Sequence, residues 1–126
     1  MLVVEDLQIA NMLRRAKPVP DQGNPGAYLA NGARAKSALS RSISDAGWGR
    51  FVSILRAKAE EAGRTWIEVD PRHTSDGCEK CGYASAENRV TQAEFECQRC
   101  AHRARADEHA ARNILRAGLA LHAQAA

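Results

Sequence analysis

Four cysteines fall as two CxxC pairs, Cys78–Cys81 and Cys97–Cys100, with 15 residues between the pairs. Thiolates at that spacing close a tetrahedral metal site that leaves no position open for substrate. Soft sulfur donors select zinc over hard cations such as magnesium. A rubredoxin-like iron site uses the same ligands, so the spacing leaves zinc and iron open. Thioredoxin-type redox chemistry is the weaker alternative, because it needs one CxxC followed by a helix. His73 and His102 flank the pairs, but four thiolates already complete a ligand set. Such a site can be a staple that folds a segment too small to have a core, and can still shape a surface for nucleic acid.

Two acids are the second chemical feature. Glu5 ends the apolar run Met1–Val4, and Asp107 opens a stretch with helical periodicity. In α/β sheets, ligands gather at the carboxyl ends of strands and at helix N-termini. Carboxylate oxygens suit hard divalent cations. The pair is therefore a candidate magnesium site for phosphodiester hydrolysis by the two-metal route. The plainer alternative makes Asp107 an N-cap or first-turn acid that complements the helix dipole, and Glu5 a solvated strand end.

The elements that must hold these groups are legible in outline. Met1–Val4 reads as a strand, and Leu7, Ile9, Met12 and Leu13 as a short helix or turn. Positions 17–28 are rich in proline and glycine and read as loop, with a further turn at Asn31-Gly32. Ser44 or Asp45 would cap a helix with Trp48, Phe51, Val52, Leu55 and Ala59 along one stripe, ended by Gly63. Thr65–Val69 is a β-branched strand stopped by Asp70-Pro71. Helix, glycine, then strand is an α/β unit. Positions 72–76 form a linker, Thr91–Cys97 is expected to be a ribbon strand, and Asp107–Leu119 a helix. Ala110, Ala111, Ile114, Leu115 and Ala117 or Gly118 should face inward on that helix, and residues 120–126 should be a fraying tail.

The chain has 126 residues and a formal net charge of +3, which permits nucleic-acid binding without demanding it. The length suits one modest domain, or part of a domain with a small metal module inserted. Arg34 to Arg64 holds seven Lys/Arg against three Asp/Glu, whereas Thr65 onward is nearly balanced. Arg34, Lys36, Arg41, Arg50, Arg56, Lys58 and Arg64 are thus the candidate phosphate contacts, with an ordinary solvated helix face as the alternative. The N-terminus lacks the basic and apolar regions of a signal peptide, and no window approaches a membrane span. The expected location is cytoplasmic, with nucleoid association for a DNA-binding protein. In that reducing setting CxxC pairs hold metal.

In combination the residues resemble a specific family. Val3-Val4-Glu5-Asp6-Leu7, Ser44-Asp45-Ala46-Gly47-Trp48-Gly49 with Phe51, Val69-Asp70-Pro71, Thr74-Ser75 and Cys78-Glu79-Lys80-Cys81-Gly82 are similar to the C-terminal half of TnpB-like proteins. Cys97-Gln98-Arg99-Cys100 and Asp107-Glu108-His109-Ala110-Ala111-Arg112-Asn113-Ile114-Leu115 continue the match. These are transposon-encoded, RNA-guided DNA nucleases related to type V CRISPR effectors. The resemblance implies an α/β fold, a partial RNase H-like (RuvC-like) domain with an inserted four-cysteine zinc ribbon. It implies three parts: an α/β region at 1–71, the ribbon at 72–103, and a last helix and tail at 104–126. Glu5 would be the second catalytic acid and Asp107 the third, holding magnesium, with Cys78, Cys81, Cys97 and Cys100 on zinc. Asp45, Gly47 and Trp48 match a motif read as structural.

Two departures stand out. The family usually has Asn where this chain has His109, and Gly where it has Ala101. The family's first acid lies on an earlier strand, upstream of the one at which these residues begin. The chain is accordingly expected to be a nuclease part that is inactive alone, with DNA and guide RNA as partners and the remaining portion supplied by another chain. The alternative is a non-catalytic zinc-ribbon module that binds nucleic acid. A decayed product without selected activity is the third reading.

Overall fold

The structure is a computed structural model of the chain that describes residues 1–125. It divides into two compact units, one of Met1–Leu7 with Ala59–Ala126 and the other Gln8–Lys58.

The first unit is built on a parallel strand pair. β1 (Leu2–Glu5) runs beside β4 (Trp66–Val69), with Leu2 opposite Trp66 and Glu5 opposite Val69. Parallel strands need a crossover between them and cover on their faces. The cover is α4 (Ala106–Ala125), which packs on both strands. The two approach tightly at Gly118, where an added Cβ would collide with the Val3 side chain. The glycine that weakens the helix locally is what lets helix and strand approach.

The second feature of this unit is a hairpin of β5 (Glu94–Glu96) and β6 (Arg103–Arg105), with Phe95 opposite Ala104. β6 runs directly into α4. The buried apolar cluster is Phe95 with Cys78 and Cys97, a core too small to hold without a further link.

The Gln8–Lys58 unit contains α1 (Ile9–Met12), a minimal pair β2 (Val19–Pro20) and β3 (Tyr28–Leu29), α2 (Ala33–Asp45), and α3 (Trp48–Glu61) up to Lys58. None of its residues is fully buried. Among the described residues, no helix is long and apolar enough to cross a membrane.

Several expectations need correcting. Ser44 and Asp45 do not cap α3; they lie in the last turn of α2, a helix the sequence reading did not assign. The break falls after Ala46, at Gly47, whose φ of 60° is a left-handed conformation suited to glycine. The stripe on α3 is covered unevenly: Ala59 is buried and Val52 and Leu55 are half-buried, while Trp48 and Phe51 stay exposed and pack on each other with ring centroids 5.5 Å apart. β5 is shorter than the expected strand because Thr91 Oγ1 accepts from the Ala93 and Glu94 N–H groups, making a turn. α4 continues through Ala125 where a tail was expected; Ala126 lies outside the described residues. Its inward residues are Ala106, His109, Asn113 and Gly118, whereas Leu115 is exposed and so is Ala111.

Candidate functional site

The two CxxC pairs make matching turns. Gly82 N–H donates to Cys78 C=O and Ala101 N–H to Cys97 C=O, each at 2.9 Å. Gly82 (φ 74°) and Ala101 (φ 56°) both occupy the left-handed region. The turns bring all four sulfurs within 4.8 Å of one another. Cys78 Sγ lies 3.7 Å from Cys100 Sγ, and Cys81 Sγ 3.5 Å from Cys97 Sγ. A tetrahedral zinc site with Zn–S of about 2.3 Å has S···S edges of about 3.8 Å, whereas a disulfide would be about 2.05 Å. The spacing therefore fits a four-thiolate metal centre, and all four cysteines are free.

The local electrostatics favour thiolate at Cys97 and the neutral thiol at Cys100. Burial raises the Cys97 thiol, but the Cys100 and Arg99 backbone N–H groups and neighbouring thiols outweigh it and hold it at about 6. At Cys100 the backbone N–H of His102 pulls the thiol down, while burial and the surrounding thiols push it to about 12. Sulfurs this close share protons, and a bound cation would take all four as thiolates.

Glu79, inside the first CxxC, fastens this turn to α4. Its backbone N–H donates to His109 Nε2 (3.3 Å), and its carbonyl accepts from Arg116 (2.8 Å). Its carboxylate meets His102 Nε2 at 2.9 Å and Arg112 at 3.5 Å. Burial alone would raise the Glu79 carboxyl, but the His102 hydrogen bond and the Arg112 charge bring it below the usual value. Glu79, His102 and His109 offer three ligand atoms within 4.8 Å. The Arg112 guanidinium on the same oxygen, and the backbone bond on His109 Nε2, make the group a hydrogen-bonded clamp in this structure.

Glu5 is half-buried at the carboxyl end of β1. Thr74 Oγ1 donates to Glu5 Oε1 at 2.5 Å. Thr74 is itself 6% exposed, in the segment expected to be a bare linker. Asn113 of α4 donates to the carbonyls of Thr74 (3.0 Å) and Gly77 (2.7 Å). Asp107 is exposed in the first turn of α4. Glu5 and Asp107 thus sit on two elements that pack together. Among the described residues they share no hydrogen bond and join no cluster of three or more potential metal ligands.

Arg34, Lys36 and Arg41 lie on α2, and Arg50, Arg56 and Lys58 on α3. Arg64 precedes β4. All are exposed except the half-buried Lys36. Thr74, Glu79, His109 and Asn113 were not singled out as site residues from sequence, although each falls inside a motif that carried the resemblance. The signal was present; its use in hydrogen bonding was not.

The comparisons with known proteins agree on one family. The family model "Cas12f1-like, TNB domain" matches residues 48–114, just over half of the chain. The chain is 42% identical over 121 residues to the "Putative RNA-guided DNA endonuclease InsQ" of Escherichia coli (strain K12), covering 96% of this chain and 29% of that protein. It is 51% identical over 57 residues to the CRISPR-associated endodeoxyribonuclease Cas12f1 of Sulfoacidibacillus thermotolerans, covering 45% of this chain and 14% of the other. It is 32% identical over 84 residues to the TnpB-like protein L79 of Acanthamoeba polyphaga mimivirus, covering 67% and 16%. The chain spans less than a third of the length of each of these relatives.

Proposed function

This chain belongs to the family of TnpB-like and Cas12f1-like proteins and carries their TNB domain, and from that premise we propose that it is the C-terminal part of a metal-dependent DNA endonuclease. In this reading residues 1–71 and 104–126 belong to an RNase H-like (RuvC-like) domain, and 72–103 form the inserted zinc ribbon. Cys78, Cys81, Cys97 and Cys100 hold a structural zinc. Glu5 and Asp107 supply two of the acids that bind magnesium. DNA as substrate and guide RNA as partner follow the printed names of the relatives.

The observation that carries the reading is the placement of Glu5. It stands at the carboxyl end of a parallel strand, and Thr74 aligns it. A carboxylate in that place, opposite a helix that begins with a second acid, is where α/β sheets put ligand-binding groups. Magnesium, when bound, would polarise the scissile phosphate and make water a stronger nucleophile. Glu5 contributes an anchored carboxylate oxygen for the cation. Asp107 contributes a carboxylate in the first turn of α4, at the positive end of the helix dipole. The ribbon does no chemistry; it fixes the start of α4 through Glu79. The 126 residues offer two acids of a three-acid centre, so cleavage requires the third from the remainder of the protein.

One observation favours the non-catalytic reading as a second. The Gln8–Lys58 unit holds nine Lys/Arg against two Asp/Glu, a concentration of positive charge suited to phosphate.

The test is magnesium-dependent cleavage of single-stranded and duplex DNA by the zinc-loaded chain, beside Glu5→Gln and Asp107→Asn. The endonuclease reading expects one zinc per chain and no cleavage by this part alone. Cleavage that survives in both variants would contradict the assignment of the two acids. Salt-dependent DNA binding without any effect of either variant in the completed protein would favour the binding module.

A further inference from the structure

We infer that Thr74 is a positioning residue for the Glu5 carboxylate, and that Asn113 couples this positioning to the helix that bears Asp107. The inference rests on the metal-binding reading of Glu5.

The segment from Pro71 to Gly77 is folded tightly to present one side chain. His73 takes a left-handed φ of 62°, and Gly77 N–H donates back to His73 C=O at 3.0 Å. An added Cβ on Gly77 would lie 2.6 Å from that same carbonyl, so the turn closes only with glycine there. Its neighbours Arg72, His73 and Ser75 are exposed, while Thr74 turns inward. The Thr74 hydroxyl has one proton and two acceptors within reach, Glu5 Oε1 at 2.5 Å and Pro71 C=O at 2.9 Å. The charged carboxylate is the stronger acceptor. A glutamate has several rotamers to lose on ordering. A donor fixed on Oε1 removes much of that freedom and leaves Oε2 for a cation. Ligating carboxylates are commonly held this way, and loss of the partner typically lowers metal affinity 10–100-fold.

Asn113 sets the turn in place. Both protons of its amide are used, on Thr74 C=O and Gly77 C=O, and its Oδ1 accepts from Arg116 at 3.3 Å. A buried amide with these bonds tolerates little displacement. Asp107 lies in the same helix, so Asn113 ties the Glu5 support to the element carrying the second acid. Gly77 leads directly into Cys78, which joins the same turn to the thiolate cluster.

The experiment measures Mn²⁺ affinity of the zinc-loaded 126-residue chain by water-proton relaxation, for wild type, Glu5→Gln, Thr74→Val and Thr74→Ser. Zinc content and thermal unfolding are recorded for each. The expected result is a 10–100-fold weaker Mn²⁺ affinity in Thr74→Val at unchanged zinc content, with Thr74→Ser restoring it to within about threefold. If Glu5→Gln loses binding while Thr74→Val binds like wild type, the inference fails and the Glu5 reading stands. If Glu5→Gln binds as well as a wild type that does bind, the Glu5 reading fails and takes the inference with it; if the two acids hold too little Mn²⁺ without the third, the NMR readout below decides. Should Thr74→Val not fold, the wild-type chain decides by NMR. A slowly exchanging Thr74 hydroxyl proton with an NOE to the Glu5 side chain supports the inference, and a freely exchanging one overturns it.

Discussion

His109 lies flat against Phe95, with ring centroids 3.7 Å apart and planes 17° from parallel. Both residues are essentially fully buried, and Phe95 packs with Cys78 and Cys97 of the four-sulfur cluster. The α4 helix is thus anchored to the first cysteine turn by an imidazole whose Nε2 also accepts from the Glu79 N–H. Replacing His109 with Ala removes the ring contact and leaves a cavity beside the cysteines. We expect a loss of about 2–3 kcal/mol in unfolding free energy. The check is urea unfolding of the zinc-loaded chain, with zinc release by a chromophoric chelator expected to speed up.

The same imidazole sets a pH dependence. Burial holds His109 below the ordinary imidazole value of 6.5. With Nε2 accepting, the proton sits on Nδ1, which has no hydrogen-bond partner among the described residues. A second proton would break the Glu79 contact. A depressed folded value means the unfolded state binds the proton more readily, so the stability from His109 is present above pH 6.5 and is lost as the pH falls below it. Glu79, also depressed, adds a loss of the same sign below its ordinary value of 4.5. Urea midpoints measured between pH 7.5 and 4 should fall, and His109→Phe should flatten the upper part of that decline.

Ala101 offers a stabilising change. It repeats in the second knuckle the left-handed turn that Gly82 makes in the first. A residue with a Cβ is strained there by about 1–2 kcal/mol, and glycine returns part of that through the entropy it loses on folding. Ala101→Gly should stabilise the zinc-loaded chain by about 0.5–1 kcal/mol. A lower urea midpoint in this variant would contradict the matching of the two turns.

Gly118 should behave in the opposite sense. Alanine is the better helix former by about 1 kcal/mol, yet its Cβ would meet Val3 Cγ1 at 2.4 Å and Cγ2 at 2.5 Å. Overpacking of this kind costs about 1–3 kcal/mol. Gly118→Ala is therefore expected to destabilise the chain, and adding Val3→Ala should recover most of the loss. Independent, additive effects in the double variant would mean α4 and β1 do not meet at this point.

These residues also show where the sequence was readable. Cysteine spacing announced the four-sulfur cluster because ligand chemistry fixes such spacing locally. The β1 and β4 strands announced themselves by β-branched runs bounded by polar residues. The inner face of α4 was read from its apolar residues and came out rotated, because two of its inward positions are the polar His109 and Asn113. Their burial depends on acceptors and donors 30 or more positions away in the chain, at Glu79, Thr74 and Gly77. No helical period encodes such partners. Thr74 was hidden for the same reason: only the fold brings it to Glu5.

The central claim is that Glu5 and Asp107 are working acids of a metal-dependent nuclease supplied in part by this chain. It is tested most directly by putting residues 1–126 in place of the matching C-terminal segment of the InsQ relative. Guide-directed, magnesium-dependent cleavage of duplex DNA by that chimera would then be measured. The account predicts cleavage by the chimera and a loss of at least about 100-fold in both Glu5→Gln and Asp107→Asn, with zinc content unchanged in each. Cleavage retained in either variant would contradict it.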